Sequence, residues 1–219
     1  LEGTYTLQTK IVNGSGEEVA SQKITIDIKD KLFIEDKLVV QNPVLWDLDN
    51  PYLYTAHSVL SKNGTQVDNY ETTFGIRYIK YSKENGFELN GNQVKFKGVC
   101  LHHDLGPLGS AVNYRATERQ LEIMKEIGVN AIRTSHNPPS REQLELCDKM
   151  GILVQVEAFD EWKLGKVENG YNNFWDEWHE RDLRDMIIRD RNHPSVVMWS
   201  IGNEIKEQRH KNGAKVAQH

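Results

Sequence analysis

Four short apolar runs in the second half of this chain alternate with helical stretches, and that alternation restricts the fold more than any other feature. The runs cover residues 98–101, 129–133, 152–156 and 196–201. Ile152-Leu153-Val154-Gln155-Val156 is β-branched and nearly unbroken in its apolar character, as suits a parallel strand buried on both faces. Between the runs, Thr117 with Gln120 forms a capping-box signal for a helix that Gly128 stops, and Ser140 with Gln143 forms a second that Gly151 closes. A longer helix is expected over residues 175–191. Strand–helix alternation produces a parallel sheet. A closed (β/α)8 barrel takes about 250 residues and the whole chain has 219, so four units are either half of a barrel or a small open α/β sheet.

Before Gly86 the hydrophobic period is near two. Residues 5–12 alternate and run into Asn13-Gly14-Ser15-Gly16, a hairpin turn, and residues 19–26 follow. Residues 54–60 lead into Lys62-Asn63-Gly64-Thr65 and then into a partner strand over residues 66–74. Short strands at this spacing imply an antiparallel β-sandwich of immunoglobulin type. The domains are therefore expected at 1–83, the sandwich, and at 84–219, the α/β part. The chain opens already in a strand, so a first strand or a preceding domain is expected to be missing. Asn13-Gly14-Ser15 and Asn63-Gly64-Thr65 also fit the glycosylation acceptor pattern, but Asn-Gly at a hairpin explains both without sugar.

The net charge of -5 with no basic block argues against nucleic acid or an anionic membrane as the main partner. No apolar run approaches the roughly 20 residues of a membrane helix. Leu1-Glu2 begins no charged-then-apolar leader, so a signal peptide has been removed or was never there, and the compartment is left open. Cys100 and Cys147 lack zinc-type spacing and are expected as buried free thiols.

Each apolar run ends in polar residues: His102-His103-Asp104, Arg133-Thr134-Ser135-His136, Glu157-Ala158-Phe159-Asp160-Glu161 and Asn203-Glu204. In a (β/α) barrel the C-terminal strand ends converge on one rim, where catalytic groups collect. Each cluster also has a structural reading. The His pair can be a satisfied packing pair, and Arg133 can neutralise Glu157. Glu157, Asp160 and Glu161 can cap the segment that follows, or hold a divalent cation. Trp199 reads as core or as a sugar platform, and Phe174, Trp175 and Trp178 as core at the start of the third helix. Asn203-Glu204 stands apart, because a carboxylate directly after an apolar strand is costly unless paired or used. Partial burial there would raise its pKa, which suits a general acid.

Two longer motifs carry a resemblance. Asn130-Ala131-Ile132-Arg133-Thr134-Ser135-His136-Asn137-Pro138, continued by Asp148-Lys149-Met150-Gly151-Ile152-Leu153-Val154, and Asp190-Arg191-Asn192-His193-Pro194-Ser195-Val196-Val197-Met198-Trp199-Ser200-Ile201-Gly202-Asn203-Glu204, resemble the signatures of glycoside hydrolase family 2. Asn137 departs from the tyrosine usual in the first. Leu45-Trp46-Asp47, Asn50-Pro51-Tyr52-Leu53-Tyr54 and Phe74-Gly75-Ile76-Arg77 resemble the family's sandwich domain and its exit into the barrel.

The resemblance implies an immunoglobulin-like β-sandwich followed by a partial (β/α)8 TIM barrel of about four βα units, in a retaining β-glycosidase. By position it makes Glu204 the general acid/base and Asn203 the neighbour that binds the sugar 2-hydroxyl. His102, Arg133, His136 and Glu157 become rim residues that bind substrate. The stretch from Lys97 to Asp104 looks most like β-galactosidases, with β-glucuronidases and β-mannosidases as alternatives in the same family. Glu161 falls near a magnesium position of some members, but Lys163 stands where a histidine ligand would follow, so no metal or other cofactor is expected to be required. The family's nucleophile comes from the seventh barrel strand. The chain alone is thus expected to be inactive, with Glu157 a poor substitute, and its open sheet is expected to self-associate or to pair with the missing half. The partner molecule is a carbohydrate. Two rivals keep a place: a non-catalytic carbohydrate-binding or adaptor module, and a complete small enzyme using Glu204 with Glu157 or Asp160.

Overall fold

The computed structural model describes residues 2–210 and Gly213. Near the N-terminus, β1 (Gly3–Val12), β2 (Glu18–Ile28), β3 (Tyr54–Lys62) and β4 (Thr65–Phe74) form an antiparallel sheet ordered β2-β1-β3-β4. Both hairpins follow from their turn chemistry. Asn13 Oδ1 accepts the backbone N–H groups of Ser15 and Glu17, and Asn63 and Gly64 both take positive φ, 51° and 79°, the pair a type I′ turn requires. Registration pairs Leu7 with Ile24 and with Leu60, and Tyr5 with Ile26, so one face of this sheet is apolar.

Residues 29–53 form no strand. Within them Trp46 is fully buried and donates its indole N–H to the Asp148 carbonyl at 2.8 Å. A three-stranded sheet, β5 (Ile79–Ser82), β6 (Gly86–Leu89) and β7 (Asn92–Gln93), comes next, and β5 pairs with β6 across position 83. Its Phe87 and Leu89 join Trp46, Ala131, Leu153 and Val197 in a closed apolar cluster. Ala131 and Leu153 are the first residues of two of the parallel strands and Val197 the second of another, so this cluster plugs their N-terminal end. Arg77 ties the same end to the first half by donating to the carbonyls of Pro194 and Val196, each at 2.6 Å.

The parallel sheet is β8 (Gly98–His102), β9 (Ala131–Ser135), β10 (Leu153–Glu157) and β11 (Val196–Ser200), in sequence order from one edge to the other. Three helices connect its strands: α1 (Tyr114–Glu126), α2 (Arg141–Met150) and α3 (Trp175–Asp190). Leu121, Leu144, Cys147 and Met186 pack from the helices onto Ile132, Val154 and Val156. Each such buried side chain contributes roughly 1.5–3 kcal/mol relative to exposure. The second N-cap is Ser140 as expected, through one half of the box: Ser140 Oγ accepts the Gln143 N–H at 3.2 Å, and Gly151 ends α2 at φ 65°.

The first capping box is not used. Asn113 caps α1 by accepting the Ala116 N–H, so the helix begins three residues before Thr117, whose hydroxyl turns back to the Asn113 carbonyl. Asparagine is as good an N-cap as threonine, and the earlier start adds a turn. Only Trp175 of the three aromatic residues near the start of α3 is buried; Phe174 is exposed and Trp178 is half-buried, with Arg181 stacked on it at 4.5 Å. Cys147 is the buried free thiol expected, whereas Cys100 is free and exposed, because it points to the open inner face of the sheet.

Candidate active site

Parallel pairing places Cys100 opposite Arg133 and Arg133 opposite Gln155. Side chains alternate between faces along a strand, so His102, Ser135 and Glu157 lie one layer further toward the C-terminal end on the same inner face. A register shift between Val154 and Gln155 then decides the last strand. It brings Met198 opposite Gln155 and Ser200 opposite Glu157, and it sends Trp199 to the outer face beside Val156. Trp199 is therefore neither core nor a platform facing the rim; it is 37% exposed at the sheet edge.

Glu157 is the hub of the rim. Its carboxylate has no solvent exposure and accepts from Arg133 Nε at 3.0 Å, Arg133 Nη2 at 2.7 Å and Ser200 Oγ at 2.7 Å. His136 Nδ1 lies 2.7 Å from its other oxygen. A carboxylate only accepts, so the imidazole donates there. The pairing of Arg133 with Glu157 weighed from sequence is present, and it raises the Arg133 pKa through that hydrogen bond. His102 and His136 meet edge to face, ring centroids 5.1 Å apart. The neighbouring His103 and Asp104 are exposed.

From this hub the network reaches the fourth cluster. Arg133 Nη2 donates to Asn203 Oδ1 at 2.9 Å, and Asn203 Nδ2 donates to Asp160 Oδ1 at 3.1 Å. The Asn203 amide is thus held at both ends. Burial alone pushes the Asp160 carboxyl upward, but hydrogen bonds from Lys166 and Asn203 and the charges of Lys166 and His136 outweigh it and hold the group below its ordinary range. Glu204 follows directly, at φ 44°. That left-handed conformation costs a non-glycine residue about 1–3 kcal/mol, so the surrounding contacts impose it. The partial burial expected of Glu204 is absent: the residue is exposed.

Glu161 is buried, and both of its carboxylate oxygens face backbone donors. One accepts the Asn172 N–H at 3.1 Å and the other the Lys166 N–H. Lys163 pairs with Asp176 at 2.8 Å instead. These residues do not fit a magnesium cradle; Glu161 organises the loop that follows β10, the capping alternative read from its cluster. Among the described residues no group of three or more His, Cys, Asp or Glu side chains is arranged to hold a metal ion. Sequence reasoning missed Ser200 and Lys166 at this rim. The phase of Ser200 depends on the register shift, and Lys166 lies deep in a loop where no periodicity marks it.

Comparison with known families places this arrangement. The description "Glycosyl hydrolases family 2, TIM barrel domain" matches residues 81–219, and "Glycosyl hydrolases family 2" matches residues 1–77. The chain belongs to glycoside hydrolase family 2. It comprises immunoglobulin-like sheet and the first strands of the family's TIM barrel, as the two motifs implied. A β-galactosidase, BoGH2A from Bacteroides ovatus, is 50% identical over 206 residues, covering 93% of this chain and 24% of that protein. A putative β-glucuronidase from Formosa agariphila is 37% identical, covering 91% of this chain and 18% of its own length. Among solved structures, a family 2 member from Bacteroides cellulosilyticus superposes with a TM-score of 0.92 at 43% identity, covering 100% of this chain and 28% of that one. The chain therefore spans between 18% and 28% of the length of these family 2 relatives.

Proposed function

We propose that this chain supplies the acid/base half of the active site of a retaining β-glycosidase, with a β-galactoside as substrate. Glu204 donates a proton to the departing glycosidic oxygen and later takes one from the water that hydrolyses the covalent intermediate. Asn203 binds the sugar 2-hydroxyl, and His102, Arg133, His136 and Glu157 shape the floor beneath the ring. One observation carries the reading: Arg133 and Asp160 grip the Asn203 amide from opposite ends, immediately before an exposed glutamate in a strained backbone. A rim that orients an amide and frees the next carboxyl is organised for a ligand rather than for packing.

The nucleophile is proposed to lie outside these 219 residues. Glu157 is unsuited to that role, since its oxygens are buried and already accept from Arg133, His136 and Ser200. The 219-residue chain alone should hydrolyse aryl β-galactosides only at background rate, and its open sheet edges suit pairing with the remainder of a barrel. The galactoside preference draws on the 50% identity to BoGH2A; the similarity to a putative β-glucuronidase keeps glucuronides as the second substrate to test.

The test uses the full-length polypeptide with Glu204→Ala, 2,4-dinitrophenyl β-galactoside and azide. An acid/base variant still forms the intermediate from this activated substrate, and azide then captures it as the β-configured galactosyl azide. Undiminished turnover of phenyl β-galactoside by the variant, with no azide adduct, would remove Glu204 from the mechanism. Sugar affinity without hydrolysis in the unsubstituted protein would favour the binding-module rival.

A further inference from the structure

The loop between β10 and α3 carries a lysine that none of the motifs includes. Lys166 Nζ donates to Asp160 Oδ1 at 3.0 Å and to the Asn203 carbonyl oxygen at 2.8 Å, with its side chain 21% exposed. That carbonyl belongs to the peptide joining Asn203 to Glu204. Rotation of this peptide plane redirects the chain at Glu204, whose φ is already at 44°. Holding the oxygen therefore holds the direction in which the Glu204 carboxyl leaves the backbone.

Lys166 is delivered to this position by a braced loop. The buried Glu161 carboxylate draws in the backbone N–H groups of Lys166 and Asn172. Gly170 passes so close to it that a Cβ there would overlap Glu161 Oε1. From the other side, Leu164 N–H donates to the buried Glu207 at 2.6 Å, and Lys206 donates to the Gly165 carbonyl. On the near side of Asn203 the Trp162 indole N–H donates to the Ile201 carbonyl at 2.7 Å, so the loop after β10 and the segment after β11 are tied together on both sides of Asn203 and Glu204. A lysine needed only for solubility would not reach back to a main-chain carbonyl in this way.

We propose that Lys166 is a positioning residue for proton transfer, aiming Glu204 by fixing the Asn203–Glu204 peptide plane. This rests on the reading of Glu204 as the acid/base. The Asn203 side chain keeps its own partners, Arg133 and Asp160, so loss of Lys166 should disturb protonation of the leaving group more than binding of the sugar. Leaving groups separate the two, because a phenolate needs proton donation and a dinitrophenolate does not.

The experiment compares kcat/KM for the phenyl and 2,4-dinitrophenyl forms of the β-glycoside that the full-length protein hydrolyses best. Lys166→Met should lower the phenyl value about 100-fold, the effect of misplacing a reacting group by roughly 1 Å, and the dinitrophenyl value no more than about threefold. Lys166→Arg, which keeps a cation with several donors, should recover about tenfold of the phenyl loss. Equal falls on both substrates, or none on either, would overturn the proposal. Misfolded protein lowers both rates together; should Lys166→Met fail to fold, Lys166→Gln is read by the same ratio. Glu204→Gln separates the two claims. If it leaves the phenyl-to-dinitrophenyl ratio unchanged, the acid/base reading fails; if it shifts the ratio and no Lys166 variant does, only the positioning role fails.

Discussion

The ion pair between Arg133 and Glu157 should respond unequally to removal of its two members. Glu157 has no solvent exposure, whereas the Arg133 side chain is 29% exposed. Arg133→Met strands a carboxylate in the interior with only His136 and Ser200 as donors, and an uncompensated buried charge costs about 3–5 kcal/mol. Glu157→Gln leaves a guanidinium that water can reach and that still bonds Asn203, so the loss should be nearer that of one charge-assisted hydrogen bond, about 1.5–3 kcal/mol. The double variant should cost less than the sum, with a coupling of about 1–3 kcal/mol. Urea denaturation of the four proteins at one pH, with slopes checked for constancy, gives all the terms. Equal single losses, or a coupling below about 0.5 kcal/mol, would show that burial does not set the worth of this pair.

Trp46→Ala should lose about 3–5 kcal/mol, since it empties the plug beneath the strands, while Trp46→Phe should lose mainly the indole bond to Asp148, about 1–2 kcal/mol; denaturation midpoints rank them. The folded state depresses the Asp160 pKa, so its stabilisation is present above the unfolded value near 3.9 and disappears as pH falls through the lower folded value. With the side chain 44% exposed, solvent screening limits that contribution to under about 1 kcal/mol, and the difference between the unsubstituted protein and Asp160→Asn in pH-dependent melting should close below about pH 4. Gly170→Ala should force the loop off Glu161, costing about 1–3 kcal/mol, and should lower activity on phenyl glycosides more than stability alone accounts for; matched losses would argue against the bracing of Lys166.

Much of this protein was legible as pattern. Period-two alternation and two Asn-Gly turns place the hairpins of the first sheet: Asn63 and Gly64 take the positive φ of a tight turn, whereas Asn13 folds its side chain onto the backbone of its own turn and leaves the positive φ to Gly16. Alternation of apolar runs with amphipathic segments places the parallel sheet, since each unit must bury its apolar face against a neighbour. The clusters at the strand ends brought Arg133, His136, Glu157 and Asn203 into view for the same reason: parallel strands all end on one side. Local preference failed where several residues compete, as at α1, where Asn113 rather than Thr117 took the cap.

Tertiary structure alone decided the rest. A single register shift in β10 and β11 turned Trp199 outward and set Ser200 against Glu157, and phase in a strand cannot be read once a residue is skipped. Glu161 organises the loop after β10 because its neighbours in space are backbone amides. Lys166 reached Asn203 through a fold-back of the chain that has no period to betray it. Periodicity records which face each residue takes within its own element; the contacts that aim Glu204 join separate loops, and only the folded chain brings those together.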